Sequence, residues 1–268
     1  MVSIGLVGCG FIGSQLAQEI QRRFQGKARL IGLYDADPAQ AKKLSKKLKP
    51  PVPVLSASAL LLRCRLLIEA ASPRAAMEWI PRAVSSRKKV MVLSAGALLR
   101  RPDLLREARK KGVPVYVPSG ALCGLDGIKA AAVQGLKSVI LTTRKPPISF
   151  SGAPGVARKG IDLKSLRKPK VLFEGTAEKA VEDFPQNINV AATLALAGIG
   201  PNRTRVRIVA DPGVRDNIHE IMAVGRFGKL TVRTENRPSA ENPKTSFLAV
   251  QSAVAALSQI LDPVKIGT

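Results

Sequence analysis

The sequence is poor in several residue types, and each shortage argues against a class of protein. Phe, Trp and Tyr make up only 4% of its 268 residues, too few for a surface that stacks the bases of single-stranded nucleic acid. The three cysteines, Cys9, Cys64 and Cys123, are odd in number and far apart, so we expect neither a disulfide framework nor a metal site. No apolar run approaches the roughly 20 residues of a membrane span. These features predict a protein of the reducing cytoplasm without a membrane partner.

Histidine and acidic residues are also scarce. His219 is the only histidine, so any imidazole chemistry near neutral pH has one available carrier. Asp and Glu total 19 against 43 Lys and Arg, a formal net charge of +24, which suggests an anionic partner. The basic residues are spread over both halves of the chain, and neither a recognition-helix nor a zinc-finger pattern appears. We therefore expect no specific nucleic-acid partner.

The first 120 residues contain an alternation of short apolar runs with segments of helical periodicity. Strands are predicted over 2–7, 30–34, 66–70, 90–93 and 113–117, and helices over 13–24, 38–48, 73–86 and 102–111. Strands that alternate with helices form right-handed βαβ units and a parallel sheet covered on both faces. Residues 1–120 are therefore predicted to form an α/β Rossmann domain with a doubly wound parallel sheet.

The pattern changes after residue 120. Strands over 137–144, 171–174, 203–211, 218–224 and 229–234, with helices over 176–184 and 190–197, predict an α+β domain with a mainly antiparallel sheet over 121–242. The stretch 145–170 is rich in Pro, Gly and Lys and is predicted to be a mobile loop. Residues 243–268 are predicted to hold a helix, over 245–261, that packs back on the first domain.

The first predicted strand is followed by Gly8-Cys9-Gly10-Phe11-Ile12-Gly13, which opens a helix. In a dinucleotide site, Gly8 allows the tight turn, Gly10 lets a pyrophosphate approach the backbone, and Gly13 lets helix and strand pack closely. Phe11 and Ile12 lie between these glycines. Asp35 follows the second strand, 22 residues beyond Gly13, where an acid binds the ribose hydroxyls. A carboxylate there repels a 2′-phosphate, so NAD is the expected cofactor, and the basic field leaves use of NADP open.

Two later loops also follow the carboxyl ends of predicted parallel strands, the edge at which ligands bind in open α/β sheets. Ala71, Ser72 and Pro73 lie in the first loop, and Ala95 and Gly96 lie in the second. Their small side chains would let the nicotinamide half of the cofactor run close to the backbone. The next such loop, over 118–124, begins the second domain and is expected to line the cleft between the domains.

Several dense polar stretches in the second half carry a family resemblance. They are TTRKPP over 142–147, VPSGALCGLDG over 117–127, and the stretches 173–177, 184–193, 211–221 and 241–246. With them, nearly the whole chain resembles the L-aspartate dehydrogenase family. The resemblance implies a Rossmann domain completed by the C-terminal helix, and an inserted α+β domain that binds substrate and forms a homodimer. It also implies a role in NAD biosynthesis, in which iminoaspartate is a precursor of the nicotinamide ring.

The resemblance assigns roles to individual residues. His219 matches the family's active-site histidine, and Asn189 matches an asparagine that binds the cofactor. Cys123 stands where the family usually has alanine in a cofactor-contacting loop, and a contact through the backbone would survive that difference. Asn187 and Asn217 lie within the resembling stretches and are candidates for substrate binding.

The implied reaction is the reversible transfer of hydride from Cα of L-aspartate to the nicotinamide. The iminoaspartate formed reacts with water to give oxaloacetate and ammonia. His219 would orient the substrate and act as a general acid or base. A dianionic substrate needs cationic partners. Arg144, Lys145 and Lys244 are the candidates, and Lys244 is favoured because it lies in a dense polar motif.

Three other interpretations stay open. Homoserine dehydrogenases and dihydrodipicolinate reductases also combine a cofactor domain with an α+β domain, although the stretches around His219 and Asn187 argue against both. A cofactor-sensing nucleic-acid binder would use the positive charge. An enzyme homologue that serves as a scaffold or sensor would keep the fold without turnover.

Overall fold

The computed structural model describes residues 1–185, 188–239 and 246–267. The chain divides into two compact units, of which the first contains Met1–Pro118 and Val250–Lys265 and the second contains Ser119–Ala249. The first segment of the first unit ends at Pro118, two residues before the predicted end of the Rossmann domain at residue 120. The second boundary, predicted after residue 242, falls outside the described residues. In the described part of the chain, no helix has both the length and the apolar character needed to cross a membrane.

The first unit is built on a five-stranded parallel sheet. Its strands are β1 (Val2–Val7), β2 (Ala28–Tyr34), β3 (Leu66–Glu69), β4 (Lys89–Val92) and β5 (Val115–Tyr116). They are ordered β2-β1-β3-β4-β5, and every neighbouring pair is parallel. The helices are α1 (Phe11–Arg23), α2 (Pro38–Lys47), α3 (Ala57–Arg63), α4 (Pro73–Ser85), α5 (Gly96–Arg100) and α6 (Pro102–Lys111). The predicted Rossmann architecture is confirmed. Periodicity did not predict α3 and α5, which are too short to show it.

The start of α1 differs from those of α2, α4 and α6. Helices α2, α4 and α6 start with proline, whose missing N–H would have had no partner in the first turn. The residues before α2 and α4 are caps: Asp37 accepts a hydrogen bond from the Ala39 N–H at 2.9 Å, and Ser72 accepts one from the Ala75 N–H at 3.2 Å. Helix α1 begins after Gly10, which has no side chain to form such a bond. Its first turn is therefore left without a side-chain cap from its own N-cap residue.

The second unit is built on a mixed five-stranded sheet. Its strands are β6 (Leu136–Lys145), β7 (Lys170–Thr176), β8 (Thr204–Ala210), β9 (Asn217–Gly225) and β10 (Gly228–Asn236), ordered β10-β9-β6-β8-β7. Among the strands of the described residues, β6 and β8 form the one parallel pair of this sheet, so the prediction of a mainly antiparallel sheet is confirmed. The helices are α7 (Leu125–Val133), α8 (Pro154–Arg158), α9 (Ala177–Asp183) and α10 (Asn189–Ala197). Periodicity predicts α9 and α10 but not α7, whose second half is mostly alanine.

The two faces of this second sheet differ in burial. On β6, Val139 and Thr143 are buried, whereas Ile140, on the other face, is half-buried. The buried face lies under helices, because Ile128 of α7 and Val139 both approach Gly198 at the end of α10. Successive side chains of a strand point to opposite faces. Whether a residue has an odd or even position on β6 therefore decides whether its side chain enters the interior of the unit.

The last helix, α11 (Phe247–Leu261), contributes to the core of the first unit. Its residues Ala253 and Leu257 are fully buried in a hydrophobic cluster that also contains Leu16 and Ile20 of α1. This confirms the prediction that the C-terminal helix packs back on the Rossmann domain.

The stretch 145–170 is not the plain loop that its composition predicts. A 3-10 helix spans Pro147–Phe150, α8 follows it, and Phe150 is fully buried. The Phe150 ring meets the ring of Phe184 edge-on, with 6.1 Å between the ring centroids, a geometry that stabilises aromatic pairs. The Phe150 side chain therefore anchors the segment in the core of the second unit, which the high content of Pro, Gly and Lys does not predict.

Gly10 and Gly13, in the glycine-rich turn between β1 and α1, provide a matched test of packing. A Cβ at Gly13 would lie 1.9 Å from the Gly8 carbonyl oxygen, whereas a Cβ at Gly10 would meet no atom of the described residues within 4 Å. We expect Gly13→Ala to lower the free energy of unfolding by about 2–4 kcal/mol, although alanine is normally the better helix former. Gly10→Ala should keep the wild-type Tm within about 2 °C. Thermal unfolding followed by circular dichroism measures both, and equal Tm values for the two variants would contradict this packing.

Candidate active site

The glycine-rich turn between β1 and α1 is tightly packed on one side and open on the other. Gly8 has a φ of +96°, and a Cβ there would lie 2.6 Å from the carbonyl carbon of Ala70. Gly10 is exposed, and its side-chain position meets no described atom within 4 Å. The Ser14 N–H donates to the Gly10 carbonyl, so the N–H groups of half-buried Phe11 and Ile12 precede this first helical bond. A pyrophosphate fits here, because it can approach Gly10 and bind N–H groups at the positive end of the helix.

Asp35 follows β2 and is tied to the same turn. Its Oδ2 accepts a hydrogen bond from the Cys9 N–H at 2.7 Å, and its Oδ1 accepts one from the Asp37 N–H at 3.0 Å. Each carboxylate oxygen has a second lone pair, and the residue is partly exposed, so it can also accept from ribose hydroxyls. Burial, together with the charge of Asp35, raises the pKa of Cys9 to about 12. The thiol in this turn is therefore neutral.

The two loops predicted to meet the nicotinamide differ in accessibility. In the loop after β3, Ala71 is exposed and Ser72 and Pro73 are half-buried. This loop packs against the glycine-rich turn, since a Cβ at Gly8 would lie 2.7 Å from the Ala71 Cα. In the loop after β4, Ala95 and Gly96 are both buried. The structure thus places Ala71, Ser72 and Pro73 beside the open turn, with Ala95 and Gly96 in the interior.

Glu69, a residue that sequence reasoning missed, joins these two loops. Its Oε1 accepts from the Ala71 N–H at 2.9 Å, from the Ser72 N–H at 3.1 Å and from the Ser94 hydroxyl at 2.9 Å. Its Oε2 accepts from the Ser94 N–H at 3.1 Å. Burial raises the pKa of Glu69, and the four hydrogen bonds oppose that rise. The signal in the sequence is an acidic residue that ends the apolar strand Leu66–Glu69 directly before small residues.

In the second unit, His219 lies on β9 between two neighbouring strands. It pairs with Thr143 of β6 on one side and with Thr234 of β10 on the other. The residue is 2% exposed, and its Nδ1 lies 3.1 Å from Thr143 Oγ1. This hydrogen bond holds the ring in place and sets, through the tautomer, whether Nε2 carries a proton. Thr143 is a second residue to which sequence reasoning gave no role, although it lies in the TTRKPP stretch.

Lys145 ends β6 two residues after Thr143, on the face of the sheet that holds His219. The residue is 5% exposed, and burial lowers the pKa of Lys145 to about 8. Burial, and then the positive charge of Lys145, lower the pKa of His219 to about 3. Near neutral pH the site therefore combines a neutral imidazole with a nearby cation. Such a pair can accept a proton and bind an anion.

Asn217 lies two residues before His219 on the same face. It is fully buried, and its Nδ2 donates to Ser246 Oγ at 3.3 Å. Its Oδ1 has no hydrogen-bond partner within the described residues. A buried acceptor without a partner costs free energy, and an N–H group of a ligand would satisfy it. The structure thus brings this predicted substrate-binding residue next to the predicted catalytic one.

The loop that contains Cys123 is hydrogen-bonded to β10, the strand next to His219 and Asn217. The Ala121 carbonyl oxygen accepts from Thr234 Oγ1 at 3.3 Å and from Asn236 Nδ2 at 3.1 Å. Thr234 is the cross-strand neighbour of His219, and Asn236 is that of Asn217. Cys123 is exposed in this loop. A predicted cofactor-contacting loop is therefore held close to the strand that carries His219.

Arg144, predicted to bind substrate, lies on the opposite face of β6 from His219. Its Nη1 lies 2.5 Å from Asp211 Oδ2, and Asp211 Oδ1 accepts from the Gly213 N–H at 2.8 Å. Adjacent residues of a strand point to opposite faces, so of Arg144 and Lys145 only Lys145 shares the face of His219. The structure does not bring Arg144 to the predicted site. Its ion pair instead fastens the turn that follows β8.

The remaining predicted residues are placed as follows. Asn189 is the first residue of α10 and is half-buried. Asn187 and Lys244 lie outside the described residues. Within the described ranges, no three His, Cys, Asp or Glu side chains form a group that could hold a metal ion.

Comparison with known proteins first defines the class. Residues 8–118 match the family "Homoserine dehydrogenase, NAD binding domain", and residues 126–260 match "Aspartate dehydrogenase, C-terminal". A homoserine dehydrogenase from Thiobacillus denitrificans has a similar fold, with a TM-score of 0.63 at 12% identity over 97% of this chain and 73% of that one. The fold and the glycine-rich turn together define a dinucleotide-binding dehydrogenase with an α+β second domain.

Full-length relatives are more specific. The L-aspartate dehydrogenase of Methanosarcina acetivorans is 47% identical over 100% of both chains. L-aspartate dehydrogenase 3 of Bordetella bronchiseptica is 39% identical over 100% of this chain and 98% of its own. The crystal structure of aspartate dehydrogenase from Thermotoga maritima covers 100% of both chains, with a TM-score of 0.75 at 26% identity. The chain belongs to the L-aspartate dehydrogenase family, which confirms the resemblance found in the sequence.

The single histidine makes the electrostatics of the site measurable. We expect an NMR titration of the His219 ring to give a neutral imidazole throughout the range from neutrality down to about pH 4, because its pKa is lowered to about 3. Lys145→Met should raise that pKa, since it removes a nearby positive charge. Lys229→Met, at an exposed position of β10, is the matched control and should not change it. A midpoint near 6.5, the value in unstructured peptides, would contradict the buried placement of the ring.

Proposed function

We propose that this chain is an NAD(P)-dependent L-aspartate dehydrogenase, which catalyses the reversible oxidative deamination of L-aspartate to oxaloacetate and ammonia through iminoaspartate. The observation that carries the proposal is the buried cluster of His219, Thr143 and Lys145, in a unit that matches the C-terminal family of aspartate dehydrogenases. The glycine-rich turn and Asp35 supply the dinucleotide site that such a reaction requires.

The cofactor contacts follow from the geometry of the first unit. NAD, when bound, takes up the hydride that leaves Cα of the substrate. The N–H groups at the start of α1 would bind the pyrophosphate, and Asp35 would bind the ribose of the adenosine half. Asp35 favours NAD over NADP, because its carboxylate repels a 2′-phosphate. The contacts proposed for the rest of the cofactor are Ala71, Ser72, Pro73, Cys123 and Asn189. Ala95 and Gly96, which are buried, would support this surface from the interior.

The substrate contacts come from the buried face of the second sheet. Lys145 supplies positive charge for a carboxylate of L-aspartate. The Asn217 Oδ1 would accept a hydrogen bond from the substrate nitrogen, which satisfies an atom that lacks a partner within the described residues. Arg144 is not retained as a substrate ligand, because its guanidinium pairs with Asp211 on the opposite face. Asn187 and Lys244 remain proposed contacts.

His219 handles the protons of the reaction. Its neutral imidazole can accept the proton that is released when water attacks the imine carbon. Returning that proton to the nitrogen makes ammonia the leaving group, and the C–N bond then breaks. Thr143 orients the ring for both steps through Nδ1. Each turnover converts L-aspartate, water and the oxidised cofactor into oxaloacetate, ammonium, the reduced cofactor and one proton.

We further infer that the enzyme is a cytoplasmic homodimer whose iminoaspartate serves NAD biosynthesis. The dimer is inferred from the family resemblance and from the second face of the β6–β10 sheet. That face carries half-buried Met222 next to exposed Lys229, Arg233 and Glu235. Apolar groups mixed with charges of both signs suit contact with a second copy of the same surface. Sedimentation equilibrium, which should give twice the mass of the chain, tests this assembly.

The alternative functions are less well supported. The first unit matches a homoserine dehydrogenase family, but the second matches aspartate dehydrogenases, and substrate specificity depends on the site rather than on the shared fold. The net charge of +24 is spread along the chain and is not gathered on a nucleic-acid recognition element.

The decisive assay is L-aspartate-dependent reduction of NAD, followed by the absorbance of NADH, with L-homoserine as the control substrate. Wild-type protein should turn over L-aspartate only. His219→Ala should still fold and bind NADH but lose about 10²–10⁴-fold in kcat. Thr143→Val should lose less, and Thr143→Ser should restore activity because it keeps the hydroxyl. Turnover of L-homoserine alone, or a wild-type kcat in His219→Ala, would contradict the proposal.

Lys145 gives substrate binding a pH dependence. Its folded-state pKa is about 8, below the usual 10.5, so the cation is present at lower pH and is lost as the pH rises through 8. The KM for L-aspartate should therefore rise about tenfold per pH unit well above pH 8. Lys145→Met should raise KM by about 10–100-fold at neutral pH and remove this dependence.

The contribution of Lys145 is isolated by dividing the KM of Lys145→Met by that of the wild type. Both KM values are measured from pH 6 to pH 10 by choice of buffers. Titration of the substrate amine is common to both proteins and cancels in that ratio. Lys43→Met, at an exposed position of α2, should behave as wild type. A ratio that stays constant with pH would rule out Lys145 as the group that binds the substrate carboxylate.

A further inference from the structure

Three parts of the first unit meet at Glu69, which the mechanism above does not use. Glu69 ends β3, the central strand of the sheet. The loop that follows it presses against the glycine-rich turn, because a Cβ at Gly8 would lie 2.6–2.7 Å from backbone atoms of Ala70 and Ala71. The Glu69 side chain ties the same loop to Ser94, in the loop after β4. The position of both loops relative to the turn therefore depends on this carboxylate.

The hydrogen bonds of Glu69 divide evenly between the two loops. Two come from the N–H groups of Ala71 and Ser72, and two come from the N–H and the hydroxyl of Ser94. Glu69 is 0% exposed, so water cannot replace the carboxylate without a rearrangement. Hydrogen bonds to a carboxylate in a dry interior are strong, and donors left unpaired there are costly.

We propose that Glu69 is a positioning residue that anchors the loop after β3 to the buried loop after β4 and so preforms a surface for the nicotinamide half of the dinucleotide. The inference rests on the proposed dinucleotide function. Its carboxylate is buried behind the loops and acts through Ala71, Ser72 and Ser94. The adenosine diphosphate half depends on other groups, namely Gly10, the start of α1 and Asp35. A change at Glu69 should therefore affect one half of the cofactor and spare the other.

Replacing Glu69 with glutamine changes little besides the link between the loops. The two side chains have nearly the same size, and the amide oxygen can still accept from Ala71 and Ser72. The amide NH₂ would then face the Ser94 N–H, which places a donor against a donor. Glu69→Gln therefore keeps the loop after β3 in place and weakens its connection to the loop after β4, because of the two Ser94 bonds only the one from the hydroxyl remains.

The test compares NADH with ADP-ribose, which lacks the nicotinamide, by calorimetric titration of the full-length protein. Glu69→Gln should weaken NADH binding about tenfold or more, as expected for a lost hydrogen bond to a charged group. Binding of ADP-ribose should change less than about twofold. Ser94→Ala removes the hydroxyl bond alone and should give a smaller loss, again for NADH only. Glu78→Gln, at an exposed glutamate of α4, is the matched control and should bind both ligands as wild type does.

Two results with Glu69→Gln would overturn the proposal. An unchanged affinity for NADH would mean that the loops do not depend on the carboxylate. An equal loss for NADH and ADP-ribose would mean that the substitution disturbs the whole unit. If Glu69→Gln does not fold, Ser94→Ala decides the question: a loss confined to NADH supports the proposal, and no loss overturns it.

The wild-type titrations separate this proposal from the dinucleotide function on which it rests. Binding of both ligands, with NADH bound more tightly, supports a contribution from the nicotinamide surface. Equal affinity for NADH and ADP-ribose would overturn the role of Glu69 and leave the dinucleotide site standing. Binding of neither would overturn both.

Discussion

The close approach of two backbone segments, at Gly8 and Ala70, is the constraint on which the first unit depends. A side chain at Gly8 would overlap the loop after β3, and one at Gly13 would overlap the Gly8 carbonyl. With both positions held by glycine, the start of α1, the Cys9 N–H that binds Asp35, and the loop held by Glu69 converge at one edge of the sheet. That edge is where ligands bind in open α/β sheets. Backbone packing at Gly8 and Gly13 therefore sets the shape of this edge, and the side chains of Asp35 and Glu69 then hold it in place.

The second unit relies on a different constraint, the register of its antiparallel strands. Register sets Thr143 and Thr234 on either side of His219, and it sets Asn236 beside Asn217. Burying ionisable groups is costly, and the cost appears here as lowered pKa values at both Lys145 and His219. Groups perturbed in this way cluster at functional sites far more than at random positions. We therefore interpret the burial of Lys145 and His219 as a requirement of the reaction, which is met at a cost in folding stability.

The sequence predicts the parts of the site whose chemistry is local and leaves out those that depend on distant contacts. Gly8, Gly13 and Asp35 are recognisable because one turn and one strand end determine their roles. The role of Glu69 is not recognisable in the sequence, because it depends on hydrogen bonds with Ser94, which lies 25 positions further along the chain. Alternation along β6 separates Arg144 from Lys145, but only pairing with β9 tells which of the two lies with His219. The Pro, Gly and Lys content of residues 145–170 predicts a mobile loop, but the buried ring of Phe150 anchors this segment in the core of the second unit.

The burial of the only histidine has a consequence for the outside of the molecule. Imidazole is the side chain whose ordinary pKa lies between about 5 and 8, and none is present on this surface. The excess positive charge is therefore nearly independent of acidity across that interval. Dissolved salt, by contrast, screens charges at a surface over a distance of about 10 Å or less. Ionic strength then governs how anionic ligands approach, whereas pH acts in the interior mainly near pH 8, where Lys145 loses its charge. The two effects can be varied independently.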